Sequence, residues 1–80
     1  MKVKVRYFAR IREILGTDSE TVDMAPGCTL GELVKAIEGG HGISLADYPL
    51  FFSINHEYKQ LGTILDEGDE VALLFPPSGG

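Results

Sequence analysis

The sequence predicts an α+β fold, a mixed sheet packed on one face of one main helix. Three stretches carry that prediction. Lys2 to Phe8 alternates in polarity, as a half-buried strand does. Thr29 to Ile37 reads as a capped amphipathic helix. Glu70 to Phe75 is apolar on both faces, so it is central in its sheet or shows one face to a partner.

The elements follow in order. Val3, Val5 and Tyr7 point one way and Lys2, Lys4 and Arg6 the other, with Phe8 breaking the polar side at its end. Ile11, Ile14 and Leu15 then fall at helical spacing over Ala9 to Leu15, and Gly16 closes that short helix as a left-handed cap. Ser19 to Met24 returns to period two, with Val22 and Met24 on one face, and Ala25-Pro26-Gly27 is turn chemistry. Thr29 and Glu32 make a T-x-x-E capping box ahead of the stripe Leu30, Leu33, Val34 and Ile37, and Gly39-Gly40 is expected to end the helix. His41 to Leu50 is a loop with a turn around Leu45-Ala46-Asp47. Phe51 to Asn55 is a strand, Asn55-His56-Glu57 a turn, and Tyr58-Lys59-Gln60 a short return strand. Thr63-Ile64-Leu65 precedes a tight Asp66-Glu67-Gly68-Asp69 turn.

Eighty residues make one domain, with little room for a deep enclosed active site. The net charge of −5 argues against nucleic acid, whose phosphates need Lys and Arg, and suits basic partner surfaces. The single cysteine, Cys28, can make neither an internal disulfide nor a thiolate zinc site, and it reads as a small residue packed where a helix begins. Neither a signal-peptide pattern nor a membrane-spanning run is present, so a cytoplasmic protein is expected.

Candidate sites are few. Gly39-Gly40-His41-Gly42 follows a helix and lacks the Lys-Ser/Thr of a phosphate loop, so it reads as a helix cap. His41 and His56 stand without ligand partners at metal spacing and read as surface loop residues. The Asp66–Glu70 acids lack the spaced oxygens of an EF-hand loop and read as a solvated turn. No G-x-S-x-G frames a nucleophile, and no catalytic constellation emerges.

The tail is the exception. Pro76 and Pro77 cannot donate backbone hydrogen bonds, so they stop the last strand and launch the chain outward as a stiff spacer. Ser78, Gly79 and Gly80 carry almost no bulk, and a tip of this kind can enter a narrow tunnel and present its carboxylate there. The chain therefore divides into a domain at 1–75 and a flexible C-terminal Gly-Gly tail at 76–80.

Four stretches together resemble the molybdopterin synthase small-subunit family, the MoaD-type sulfur carriers of the MoaD/ThiS ubiquitin-like superfamily, over essentially the whole length. They are V-K-V-R-Y-F-A-R-I-R-E-I-L-G at Val3 to Gly16, T-L-G-E-L at Thr29 to Leu33, I-N-H-E-Y at Ile54 to Tyr58, and D-E-G-D-E-V-A-L-L-F-P-P-S-G-G at Asp66 to Gly80. The first and last are the specific ones. The family often has one more residue between the prolines and Gly-Gly, where this chain has only Ser78.

The resemblance implies a ubiquitin-like β-grasp fold. It implies that an E1-like adenylyltransferase spends ATP to adenylate the Gly80 carboxylate, and that a sulfur donor displaces AMP to leave a thiocarboxylate. The loaded tail then enters the large synthase subunit, in a heterotetramer, and two such sulfurs build the dithiolene of molybdopterin from a cyclic pyranopterin precursor. On this view the chain is not an enzyme on its own and binds no cofactor or metal. Gly80 carries the chemistry and Gly79 supplies clearance. Phe8, Tyr58 and Phe75 lie at the docking surface with Pro76 and Pro77, and Arg12 adds a rim ion pair. Core packing is the competing expectation for each aromatic. A sulfur carrier for another pathway, such as the thiamine thiazole, a ubiquitin-like protein modifier, and a plain interaction module stay open at this point.

Overall fold

The N-terminal alternation becomes β1 (Lys2–Tyr7), with Val3, Val5 and Tyr7 buried and Lys2, Lys4 and Arg6 exposed. The computed structural model describes residues 1–76. Phe8 leaves the strand and serves as the extended N-cap of α1 (Ala9–Leu15), which Gly16 closes in the left-handed conformation predicted for it. β2 (Ser19–Asp23) returns antiparallel to β1, and Val22 and Met24 pack against the core as their alternation requires.

α2 (Leu30–His41) begins with the predicted capping box. Thr29 Oγ1 accepts from the Glu32 N–H at 3.2 Å, and Glu32 Oε1 accepts from the Thr29 N–H at 2.9 Å. Its four-residue stripe is buried on the sheet, each side chain contributing about 1.5–3 kcal/mol. The helix does not end at Gly39-Gly40 as expected. It runs through both glycines to His41 and caps at Gly42, whose φ is 69° and whose N–H donates to the Glu38 carbonyl at 2.8 Å. The cause lies downstream: the Glu38 carbonyl also accepts from Ile43, and its carboxylate accepts from the Leu45 N–H at 2.6 Å. These bonds favour a left-handed residue at 42 and leave 39 and 40 helical.

His41 is consequently not a loop residue, which corrects the sequence expectation. It sits half-buried on the last turn of α2, edge-on to Tyr7 with ring centroids 6.4 Å apart. Its Nε2 lies 2.6 Å from Glu20 Oε2, the same oxygen that accepts from the Tyr7 hydroxyl at 2.6 Å. Burial pushes the Glu20 carboxyl up, but the bonds from Tyr7 and His41 outweigh it and hold the group below its ordinary value. Burial, then the Glu20 bond and charge, push the Tyr7 hydroxyl well above the usual tyrosine range.

β3 (Phe51–Ile54) and β4 (Glu57–Tyr58) form a hairpin, and β5 (Glu70–Leu74) completes a sheet of order β2-β1-β5-β3-β4. The return strand is Glu57–Tyr58 rather than residues 58–60, because Asn55 and His56, both at positive φ, make the turn in two residues. β5 lies at the centre of the sheet, parallel to β1 and antiparallel to β3. Val71 and Leu73 are buried in the core beside Val3, Val5 and the α2 stripe. A mixed sheet on one main helix is the α+β arrangement that the pattern predicted, with the β-grasp element order.

Candidate functional site

One face of the sheet carries the helix and the core. The opposite face carries no helix among the described residues. The register decides what that outer face presents. On β1 it is Lys4 and Arg6, with Phe8 continuing their parity. Glu70, Ala72 and Leu74 lie there on β5, Phe51 and Ser53 on β3, and Tyr58 on β4.

Arg6, Phe8, Glu70 and Tyr58, with His56 of the β3–β4 turn, line a hollow of about 260 Å³, Phe8 on one wall and Tyr58 on the other. Ala72, Leu74 and Ser53 help to line it, and Ser53 is only 6% exposed although it stands on the outer face. Small residues opposite large aromatic walls leave the hollow open. The Arg6 guanidinium lies over the Phe8 ring at 5.2 Å, and its Nη1 is 3.8 Å from Glu70 Oε1. At that separation and partial exposure the ion pair is weak, and the contact of Arg6 with the Phe8 ring is of comparable strength. Phe51 stacks edge-on against Tyr58 at 5.8 Å and forms the ridge to a second groove, where Leu50 and Leu61 stand. At the far end of β1, Lys2 Nζ pairs with Asp23 at 3.1 Å and holds that carboxyl below its ordinary value. The chemistry available here is apolar docking with a polar rim. Among the described residues no cluster of His, Cys, Asp and Glu could hold a metal ion.

The predicted site residues divide. Phe8 (38% exposed) and Tyr58 (73% exposed) come together across the hollow, not in the core. Phe75 does not join them. By parity it follows Val71 and Leu73 to the helix side of the sheet, half-buried, edge-on to Tyr48 at 6.0 Å and beneath the Arg10 guanidinium at 5.4 Å. Arg12 is exposed on α1 and has no ion pair among the described residues. Pro76 is half-buried just past β5. Pro77, Gly79 and Gly80 lie outside the described residues. Cys28 is buried where α2 begins, as expected.

Arg6, Ser53 and Phe51 belong to this face although the sequence reading did not anticipate them there. Their available signal was the doubly apolar final strand: once β5 is central, whatever pairs beside Ala72 and Leu74 must share their outer face.

Comparison with known proteins gives this arrangement a family. The model of the ThiS family matches residues 5–80. A relative is the molybdopterin synthase sulfur carrier subunit of Homo sapiens, 37% identical over 83 residues that cover 99% of this chain and 94% of that one. Among solved structures, SAMP1 from Haloferax volcanii superposes with a TM-score of 0.89 at 27% identity, over the full length of both chains. A complex of subunits 1 and 2 of the molybdopterin-converting factor from Helicobacter pylori contains the same fold, with a TM-score of 0.72 at 24% identity and full coverage of both chains. The chain belongs to the ThiS family.

Proposed function

We propose that this chain is the sulfur-carrying small subunit of a molybdopterin synthase. The observation that carries the proposal is the end-to-end similarity to a relative of that name. The open face built by Phe8, Leu74 and Tyr58 supports it, because a carrier must be gripped while its terminus is worked on elsewhere. The partner proposed for that face is the large synthase subunit, and the Helicobacter pylori structure is a complex of subunits 1 and 2 of the molybdopterin-converting factor.

The proposed chemistry uses the Gly80 carboxylate. A terminal carboxylate ordinarily has a pKa of about 3.5, so at neutral pH it is ionised and a poor electrophile. Attack by this carboxylate on ATP, in an E1-like partner, releases pyrophosphate and leaves an acyl-adenylate. A sulfur donor then displaces AMP and leaves the thiocarboxylate. The sulfur adds to a carbon of the pyranopterin precursor while the partner holds it in position, and water then cleaves the acyl C–S bond, which leaves the sulfur on the precursor and returns Gly80 as a carboxylate. This chain supplies the handle and the grip, the partners supply acids, bases and nucleotide sites, and the setting is the cytoplasm.

A second reading has its own support. Small archaeal modifier protein 1 shares the fold at high superposition, and a modifier would pass its activated Gly80 to a lysine amine instead of a sulfur. Intact-mass measurement after co-expression with the activating enzyme and a sulfur source separates the two. Replacement of one oxygen by sulfur at Gly80 supports the carrier. An unmodified terminus together with lysine conjugates supports the modifier and removes the carrier.

A further inference from the structure

Tyr58 stands on an edge strand of two residues, behind a two-residue turn. Among the described residues β4 pairs only with β3, through Ser53↔Tyr58 and Ile54↔Glu57. A hairpin this short is marginal by itself. Its tip is nonetheless tied down, and Asn55 makes the ties. The Asn55 backbone N–H donates to the Glu70 carbonyl at 2.8 Å. Its side-chain Oδ1 accepts from the Glu70 N–H at 3.0 Å, and its Nδ2 donates to Asp69 Oδ1 at 2.9 Å. A backbone N–H can only donate, so the Glu70 bond fixes which end of the amide faces Asp69.

Asp69 is held in turn. Its Oδ2 accepts from the Asp66 N–H at 2.7 Å, and its carbonyl accepts from the Lys4 N–H at 3.2 Å. The I-N-H-E-Y and D-E-G-D-E stretches are therefore two halves of one joint. It runs from β1 through the acidic turn to the hairpin that carries Tyr58. Asn55 also suits the turn itself, since its φ of 51° is a left-handed value that Asn tolerates.

We infer that Asn55 is a positioning residue for partner docking: it latches the β3–β4 hairpin to the Asp66–Glu70 turn and so presents Tyr58 preformed on the outer face. This rests on the carrier reading above. A face already ordered in the free chain loses less conformational freedom on binding.

The test uses the full-length chain and its purified large subunit. N55D keeps the acceptor for Glu70 but sets a second carboxylate against Asp69. N55D/D69N moves the donor to position 69 and restores the pair. N55G keeps the turn's backbone and removes both side-chain bonds. T29A lowers stability at the α2 cap, away from the hairpin, and serves as the control for destabilisation alone. Affinity is read by titration calorimetry, and hairpin order by hydrogen exchange at the Lys59 amide, which donates to Phe52.

N55D and N55G are expected to weaken binding about tenfold and to speed Lys59 exchange, in line with the loss of the charge-assisted hydrogen bond to Asp69. N55D/D69N is expected to return affinity to within about twofold of the parent, as a coupled pair should. T29A is expected to bind like the parent. Parent-like binding or parent-like Lys59 exchange in N55G and N55D would overturn the inference, and so would failure of the double substitution to restore binding. A parent chain that does not bind the large subunit overturns the carrier reading and the docking role with it. That result differs from failure of the latch alone, in which parent and variants all bind.

Discussion

At the scale of single residues, two side chains have separable jobs. Tyr58 is almost free of the core, so truncating it costs the fold little, yet it walls the hollow with Phe8. Tyr58→Ala should lower affinity for the large subunit at least about tenfold, as loss of an aromatic anchor does, with a melting temperature close to the parent's. Parallel calorimetry and melting would check this, and equal affinity would remove Tyr58 from the docking surface. Glu20 does the reverse job, joining β2 to Tyr7 and to the end of α2. Its carboxyl lies below the ordinary value of 4.5 in the folded chain. The stabilisation it contributes is therefore fully present above that value and is lost as pH falls through the folded one. Urea midpoints of the parent should exceed those of Glu20→Gln at pH 7, and the gap should close in acid. A gap independent of pH would mean that the charge of Glu20 is irrelevant to stability.

At the scale of elements, the end of α2 gives the sharpest contrast. Gly40 is exposed inside the helix, and a Cβ there would meet nothing within 4 Å. Gly40→Ala should therefore stabilise the chain by about 0.5–1 kcal/mol. Gly42 has equally open surroundings but holds φ at 69°, so Gly42→Ala should destabilise by about 1–2 kcal/mol. Denaturant melts of the two variants should move in opposite directions. The same sign for both would mean that the helix ends elsewhere. At the other end of α2, Thr29→Ala removes half of the capping box and should cost about 1 kcal/mol.

At the scale of the whole molecule, the core and the proposed chemistry are separate. Every residue of the buried cluster lies between Val3 and Leu73, while the proposed reaction takes place at Gly80. Deleting Gly79 and Gly80 should leave the melting temperature unchanged and abolish sulfur loading by the activating enzyme. Melting curves and intact mass on one preparation would check both halves. Sulfur found on the shortened chain would sink the proposed role of Gly80. The outer face belongs to this scale too, since it is assembled from β1, β5, β3 and β4, and no single element carries it.

The sequence by itself determined what depends on neighbours along the chain. The alternation of β1, the capping box and stripe of α2, and the left-handed close at Gly16 are local, and each appears where periodicity and capping put it. The central place of β5 was also legible, because a strand apolar on both faces has few other positions to occupy. The tertiary structure alone decided what depends on contacts far apart in sequence. Glu38 carries α2 past Gly40, because it bonds residues after the helix. Phe75 turns to the helix side while Phe8 turns outward, because sheet parity sorts them after pairing. His41 leaves the expected loop to meet a carboxylate 21 residues away, and Asn55 meets Asp69 across 14. A periodicity reports the face on which a residue lies, but only the packed sheet determines which residues share that face.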